Sequence, residues 1–183
     1  MSNPIFCCGA ECGQTYGYGA ATTGHWTGQT GADLSISTAT VRSGSRSFRF
    51  NAEAGLGTDI QKAHAASSIL VGRFAIRFAS FPAVLLEVIN VDTINATIQF
   101  NPSGSTLEAL FDGATTQVGP VLSLNTWYVV DLRISGTTAT KTLDWAVNSV
   151  AQTQATNPVG STSYVGTFYM GAWAAATITT DVF

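Results

Sequence analysis

The stretch TWYVVDLRIS, residues 126–135, decides the fold class. Its ten residues contain no Gly or Pro and are rich in β-branched and aromatic types, which is typical of a long β-strand. Alternate positions form an apolar row and a mixed row that contains a charged pair. Because strands with turn signals lie on both sides, we predict a central strand of a large antiparallel sheet. The apolar row is Tyr128, Val130, Leu132 and Ile134, and the mixed row is Trp127, Val129, Asp131 and Arg133.

Strand signals continue on both sides of this stretch. FAIRF at residues 74–78 alternates regularly, and Asp112-Gly113 and Asn148-Ser149 are typical of hairpin turns. No segment repeats apolar residues at helical spacing over three turns, so very little helix is expected. About twelve to fourteen strands exceed an immunoglobulin-type sandwich and favour an all-β, two-sheet antiparallel jelly-roll sandwich.

Length and composition favour one folded domain. The chain has 183 residues, and we assign residues 1–31 to a Gly/Thr/Tyr-rich N-terminal arm or first strand and residues 32–183 to the sandwich. Only 10% of residues are charged, where about 25% is usual, which suits a protein packed among neighbours. The net charge of −3 and scattered Lys and Arg argue against nucleic-acid binding.

The N-terminus and hydropathy bear on location. No run approaches the roughly 18 apolar residues of a membrane span, so no membrane partner is expected. The start, MSNPIFCCGAECG, has neither a positive n-region nor an apolar h-region. We therefore expect synthesis in the cytoplasm without a signal peptide.

The N-terminal arm carries the chain's cysteines, Cys7, Cys8 and Cys12. Three cysteines cannot all pair within one chain, so reduced thiols, disulfides and inter-subunit contacts all remain open. A structural zinc site would need four organised ligands. Tyr16 and Tyr18 lie among glycines and could contact a neighbouring subunit or a sugar, or fold over the edge of the sandwich.

Ordered landmarks from about residue 33 to residue 183 resemble a known superfamily. They are the SGSRSFRF entry, the FAIRF strand, the Asp112-Gly113 hairpin, the TWYVVDLRI strand, the LDWAVNSVAQ hairpin and the final TITTDVF. In this order they resemble the concanavalin A-like lectin/glucanase superfamily, particularly its laminin G-like jelly rolls. The closing strand departs from the family pattern, because only Asp181 remains of a paired-Asp motif.

The glucanase branch of that superfamily hydrolyses polysaccharides with acidic residues that share one strand face, as in E-x-D-x-x-E. The nearest match here is Glu87 and Asp92, whose odd spacing would place them on opposite faces of a regular strand. There is no G-x-S-x-G elbow, and His25 and His64 are the only histidines. We therefore predict no catalytic residues and no enzyme activity.

No cofactor is expected. Calcium is common in the laminin G-like relatives, and a calcium site here would require Asp92, Asn95 and Asp112 to converge.

The leading hypothesis for function is a non-catalytic building block of a virion, such as a bacteriophage decoration or fibre protein. It would pair with other protein subunits of a larger assembly and become extracellular with the released particle.

The alternative is a carbohydrate-binding module that recognises surface glycans. Such a site would combine Trp127, Trp145 and Trp173 with Asn148, provided that these residues share a face. A glycoside hydrolase of the glucanase type is the remote alternative.

Overall fold

A computed structural model describes residues 28–30, 34–51, 58–91, 96–111, 116–136, 140–157, 164–173 and 181–182. These residues form β-strands, turns and bends, and none of them is helical. Within this part of the chain there is accordingly no helix that could cross a membrane. In chain order the strands are β1 (Gly28–Thr30), β2 (Leu34–Ser37), β3 (Ser47–Asn51), β4 (Thr58–Ser67), β5 (Ile69–Ile76), β6 (Leu86–Val91), β7 (Ala96–Asn101), β8 (Thr106–Phe111), β9 (Gln117–Val121), β10 (Tyr128–Gly136), β11 (Lys141–Val147), β12 (Val150–Ala151), β13 (Ala155–Asn157), β14 (Tyr164–Trp173) and β15 (Asp181–Val182).

The strands form antiparallel sheets that pack as a sandwich. A seven-stranded sheet has the order β1-β4-β14-β6-β7-β8-β9. A five-stranded sheet has the order β12-β11-β10-β5, with β13 also paired to β11, and β15-β3-β2 form a three-stranded sheet. Strand β8 contacts β11 and β13, and β3 contacts β4 and β14, so the smaller sheets cover one face of the seven-stranded sheet. The predicted all-β antiparallel sandwich is confirmed.

Strand β10 lies in the middle of its sheet, as predicted, with β5 on one side and β11 on the other. The apolar row of β10 faces the core, where Val130, Leu132 and Ile134 are buried. The outward row carries Asp131 and Arg133, which lie directly opposite Arg73 and Asp144 on the neighbouring strands.

These outward charges pair with one another across the strands. Arg73 donates from Nε to Asp131 Oδ1 at 2.5 Å and from Nη2 to Asp131 Oδ2 at 3.0 Å. The hydrogen bond and then the charge of Asp131 raise the pKa of the Arg73 guanidinium. Arg133 Nη1 lies 3.6 Å from Asp144 Oδ2. The outer face of the five-stranded sheet is therefore a ladder of ion pairs.

The indole of Trp145 joins the two large sheets. Trp145 is 4% exposed, and its Nε1–H donates to the carbonyl oxygen of Thr153 at 2.8 Å. Its ring packs against Gly119 of β9: a Cβ added there would lie 2.3 Å from Trp145 Cη2 and 3.0 Å from the carbonyl oxygen of Leu107. A glycine at this position thus allows the indole to reach the seven-stranded sheet.

Gly119-Pro120 and Gly171 lie inside strands. Gly119-Pro120 belongs to β9, which is tolerated because β9 is an edge strand and one side of it needs no ladder donor. Gly171 lies within β14. A Cβ at Gly171 would lie 2.1 Å from the carbonyl oxygen of Thr58, so the glycine permits close approach of β4.

Replacing Gly119 by Ala should destabilise the protein. Overpacking of this kind costs about 1–3 kcal/mol, which outweighs the gain of about 0.4–1 kcal/mol from restricting the unfolded chain. The measurement is denaturant unfolding of Gly119→Ala beside Val121→Ala, because Val121 is an exposed residue of the same strand. The exposed substitution should change the free energy of unfolding by less than about 0.5 kcal/mol. Equal stabilities for both variants would contradict the packing of Trp145 on Gly119.

Candidate functional site

The outward face of the seven-stranded sheet is polar. Its strands alternate between core residues, such as Ile98 and Leu107, and outward side chains that mostly carry carboxyl, amide or hydroxyl groups. Leu110, half-buried opposite Thr97, is an apolar exception on β8. In the registry of the sheet, Glu108 pairs with Gln99, and Gln99 pairs with Glu87. We call this surface the polar face. Its residues are Asp59, Gln61, Glu87, Asn90, Thr97, Gln99, Asn101, Thr106, Glu108 and Tyr169.

A β-bulge brings Glu87 and Asn90 to the same face. The two residues are three apart, so a regular strand would place them on opposite faces. The registry shifts between Glu87 and Ile89, and Val88 and Ile89 are both buried, which is the pattern of one extra residue in β6. Asn90 Nδ2 donates to Glu87 Oε2 at 3.0 Å and to Thr97 Oγ1 at 3.3 Å.

Glu108 is the anchor of the polar face, since it is 6% exposed and both of its oxygens accept hydrogen bonds from amides. Gln99 Nε2 donates to Oε2 at 2.9 Å, and Asn101 Nδ2 donates to Oε1 at 2.7 Å. Asn101 Oδ1 in turn accepts the backbone N–H of Ser103 at 2.9 Å. The carboxylate therefore fixes which end of each amide points towards it.

Three oxygen atoms on β6 and β7 remain available. Glu87 Oε1, Asn90 Oδ1 and Gln99 Oε1 accept no hydrogen bond from the residues that the structure describes, whereas the other end of each group is held. Adjacent strands are about 4.8 Å apart, so these acceptors form a compact patch. A ligand that presents hydroxyl donors would match it.

The two ends of the polar face carry different side chains. At the β9 edge, Val118 and Val121 are 62% and 69% exposed and lie opposite Glu108 and Thr106. They give the face an apolar border. At the β4 side, Asp59 is 5% exposed and accepts a hydrogen bond from Gln61 Nε2 at 3.0 Å.

Trp145 and Asn148, two of the residues expected in a sugar site, have structural roles in the fold. Trp145 is a core residue, so its ring faces are covered by protein and cannot stack on a sugar. Trp127 is half-buried and directly precedes β10, a strand of the five-stranded sheet. Trp173 belongs to β14 of the seven-stranded sheet, where its backbone lies opposite Glu87. Asn148 turns the β11–β12 hairpin at φ 50°, and its Oδ1 accepts the N–H of Val129 at 2.9 Å. Its side chain therefore holds the hairpin against β10.

Several predicted residues lie outside the described residues. They include the possible inter-subunit contacts in the N-terminal arm and the candidate calcium ligands, and predictions about them stay predictions. Among the described residues, no group of three or more His, Cys, Asp or Glu side chains could hold a metal ion. The predicted residues that lie outside the described ranges are Cys7, Cys8, Cys12, Tyr16, Tyr18, Asp92, Asn95 and Asp112.

No protein-family model and no curated protein sequence matches the chain. Solved structures do resemble its fold. The alginate lyase from Corynebacterium sp. aligns with a TM-score of 0.54 and 16% identity over 74% of this chain and 72% of the lyase. The Trypanosoma rangeli sialidase aligns with a TM-score of 0.53 and 13% identity over 81% of this chain. The chain spans 26% of the sialidase, and at these identities the likeness shows a shared fold.

This finding corrects the predicted function. The expected non-catalytic virion building block is contradicted, because the similar structures are carbohydrate-active enzymes and lend no support to a capsid or fibre protein. The expectation of no enzyme activity is contradicted in the same way. The fold is thus one that carbohydrate-active enzymes use.

The two glutamates of the polar face should differ in their effect on stability. Glu108→Met leaves the amides of Gln99 and Asn101 without their acceptor. An unsatisfied buried group costs about 1–3 kcal/mol, and these two half-buried amides should each cost less than that. Glu87→Met is the matched control, because Glu87 is half-buried and accepts one hydrogen bond. Denaturant unfolding should show a clearly larger loss for Glu108→Met. Equal losses would mean that Glu108 does not anchor the face.

Proposed function

We propose that the chain is a carbohydrate-active protein that binds a glycan chain across the polar face and cleaves it, with Glu87 as the carboxyl that contacts the scissile bond. The observation that carries this is the row of Glu87, Gln99 and Glu108 on three adjacent strands. Membership of the concanavalin A-like lectin/glucanase superfamily is part of the proposal. The sheet topology and the fold likeness to carbohydrate-active enzymes support it.

The polar face has the chemistry that a sugar chain requires. Sugars offer hydroxyl groups to polar partners and C–H surfaces to apolar ones, so their sites combine both kinds of side chain. Here the free oxygens of Asn90 and Gln99 accept hydroxyl donors, and Glu87 keeps one oxygen for the glycosidic bond. Exposed Val118 and Val121 provide an apolar border.

The arrangement suits a chain of sugars better than a single ring. The polar face extends from β8 across β7, β6 and β14 to β4, and the valine border on β9 adjoins it. Five strands at about 4.8 Å spacing span about 19 Å. A ligand of that length can meet the acceptor patch on β6 and β7 and the valine border at the same time.

The separation of the carboxyl groups bears on the reaction. Glu87 and Glu108 lie two strands apart, which corresponds to a backbone separation of about 9.6 Å. Inverting glycoside hydrolases place their carboxyls about 6.5–9.5 Å apart, and retaining ones about 5–5.5 Å apart. This backbone separation lies just beyond the inverting range and well beyond the retaining one, so the proposed reaction is hydrolysis with inversion.

The proposed roles of the two glutamates follow from how many of their oxygens are already hydrogen-bonded. Glu87 keeps one oxygen free, which allows it to approach the glycosidic oxygen as the general acid. Both Glu108 oxygens accept amide N–H groups, but each retains a second lone pair that can hold the attacking water as the general base. Gln99 lies between them, and its free Oε1 can accept a sugar hydroxyl.

Replacing Glu87 by Gln should remove the activity while preserving the fold. General acid catalysis contributes about 10²–10⁴-fold, so Glu87→Gln should lose that factor in the release of reducing ends. Asp131→Asn, on the outer face of the other sheet, is the control and should retain full activity. The assay measures new reducing ends from a panel of polysaccharides, beside the unfolding midpoint of each variant.

Two results would contradict the proposal. One is a wild-type protein that neither binds nor cleaves any glycan in the panel. The other is cleavage that Glu87→Gln leaves unchanged, which would place the chemistry away from the polar face.

A further inference from the structure

Little positive charge belongs to the sheet that carries the polar face. The chain has eight Lys and Arg residues, and all of them fall within the described residues. Only Lys62 belongs to a strand of the seven-stranded sheet, and alternation places it on the same side as Ile60, a core residue. The eight are Arg42, Arg46, Arg49, Lys62, Arg73, Arg77, Arg133 and Lys141.

Three of the cations form side-chain contacts in the five-stranded sheet or beside it. Arg73 and Arg133 form the ion-pair ladder with Asp131 and Asp144. Arg77 donates from Nη2 to Asn125 Oδ1 at 2.6 Å, just beyond the end of β5.

The polar face itself holds the carboxyl groups of Asp59, Glu87 and Glu108. Its available amide oxygens, on Asn90 and Gln99, are acceptors, so they need donors from the ligand. A sugar hydroxyl can donate to them. A sugar carboxylate cannot donate, and the carboxylates of Asp59 and Glu108 would also repel it.

Resting on the proposed function, we infer that the polar face takes a neutral glycan, whose hydroxyls donate to this patch, and discriminates against glycans that carry carboxylates. The discrimination comes from both hydrogen-bond polarity and charge. Only the charge part is screened by salt, so the two contributions can be separated.

The test compares the binding of neutral and anionic chains by calorimetry. The neutral probes are mannan, xylan and a β-1,3-glucan, and the anionic probes are polygalacturonate, alginate and a sialylated oligosaccharide. We expect the tightest binding to be to a neutral probe, by at least about tenfold. Raising NaCl from about 0.05 M to about 0.5 M should leave neutral binding unchanged and narrow the gap to the anionic probes.

A gain of positive charge tests the same inference in the opposite direction. Val118→Lys places an ammonium group at the border of the polar face, and it should improve polygalacturonate binding about fivefold at low salt, the effect of one close charge in water. The matched control is Val71→Lys, because Val71 is 75% exposed on the other sheet and pairs with Arg133. The control should leave polygalacturonate binding unchanged.

The outcomes separate this inference from the proposed function. Tighter binding of an anionic than of a neutral probe at low salt overturns the inference and leaves glycan binding intact. An equal effect of Val118→Lys and Val71→Lys also overturns it, because the polar face would then not be where the anionic probe is sensed. Failure to bind every probe overturns the proposed function as well.

Discussion

Burial of one side of the seven-stranded sheet is the constraint on which the rest of the structure depends. The core rows of β4, β6, β7 and β8 pack against β10, β11 and β3, and the indole of Trp145 reaches across to Gly119. Because successive side chains of a strand alternate, this burial fixes which residues face outward. The outward rows of the two large sheets then differ in kind: charged residues pair on one, and acidic and amide residues gather on the other.

On the polar face, hydrogen bonds orient the side chains before any ligand arrives. Glu108 accepts from Gln99 and Asn101, and Glu87 accepts from Asn90, so each amide is turned by a carboxylate. The oxygens left over are available to a ligand, and preorganisation of this kind lowers the cost of binding. The same two glutamates then serve as the carboxyls of the proposed reaction.

The fold was largely predictable from the sequence, because alternation in β5, β10 and β11 and the Asn148-Ser149 turn are local signals. The site was not, for two physical reasons. The bulge in β6 places Glu87 and Asn90 on the same face, although two residues three apart face opposite sides of a regular strand. In the sequence, Val88 and Ile89 inside the bulge are indistinguishable from an ordinary apolar run. The row through Gln99 and Glu108 exists only in the cross-strand registry. Trp145 was predicted to stack on a sugar and is a core residue, because a single sequence does not distinguish a core tryptophan from one that binds a sugar.

The central claim is that a glycan lies on the polar face and not on the ion-pair ladder of the other sheet. Backbone amide chemical-shift mapping with a bound neutral oligosaccharide tests it most directly, because β7 and β8 belong only to the first sheet and β10 and β11 only to the second. We predict shifts concentrated at Glu87, Asn90, Gln99 and Glu108, with β10 and β11 unaffected. Shifts concentrated around Arg73 and Asp131 would contradict the account.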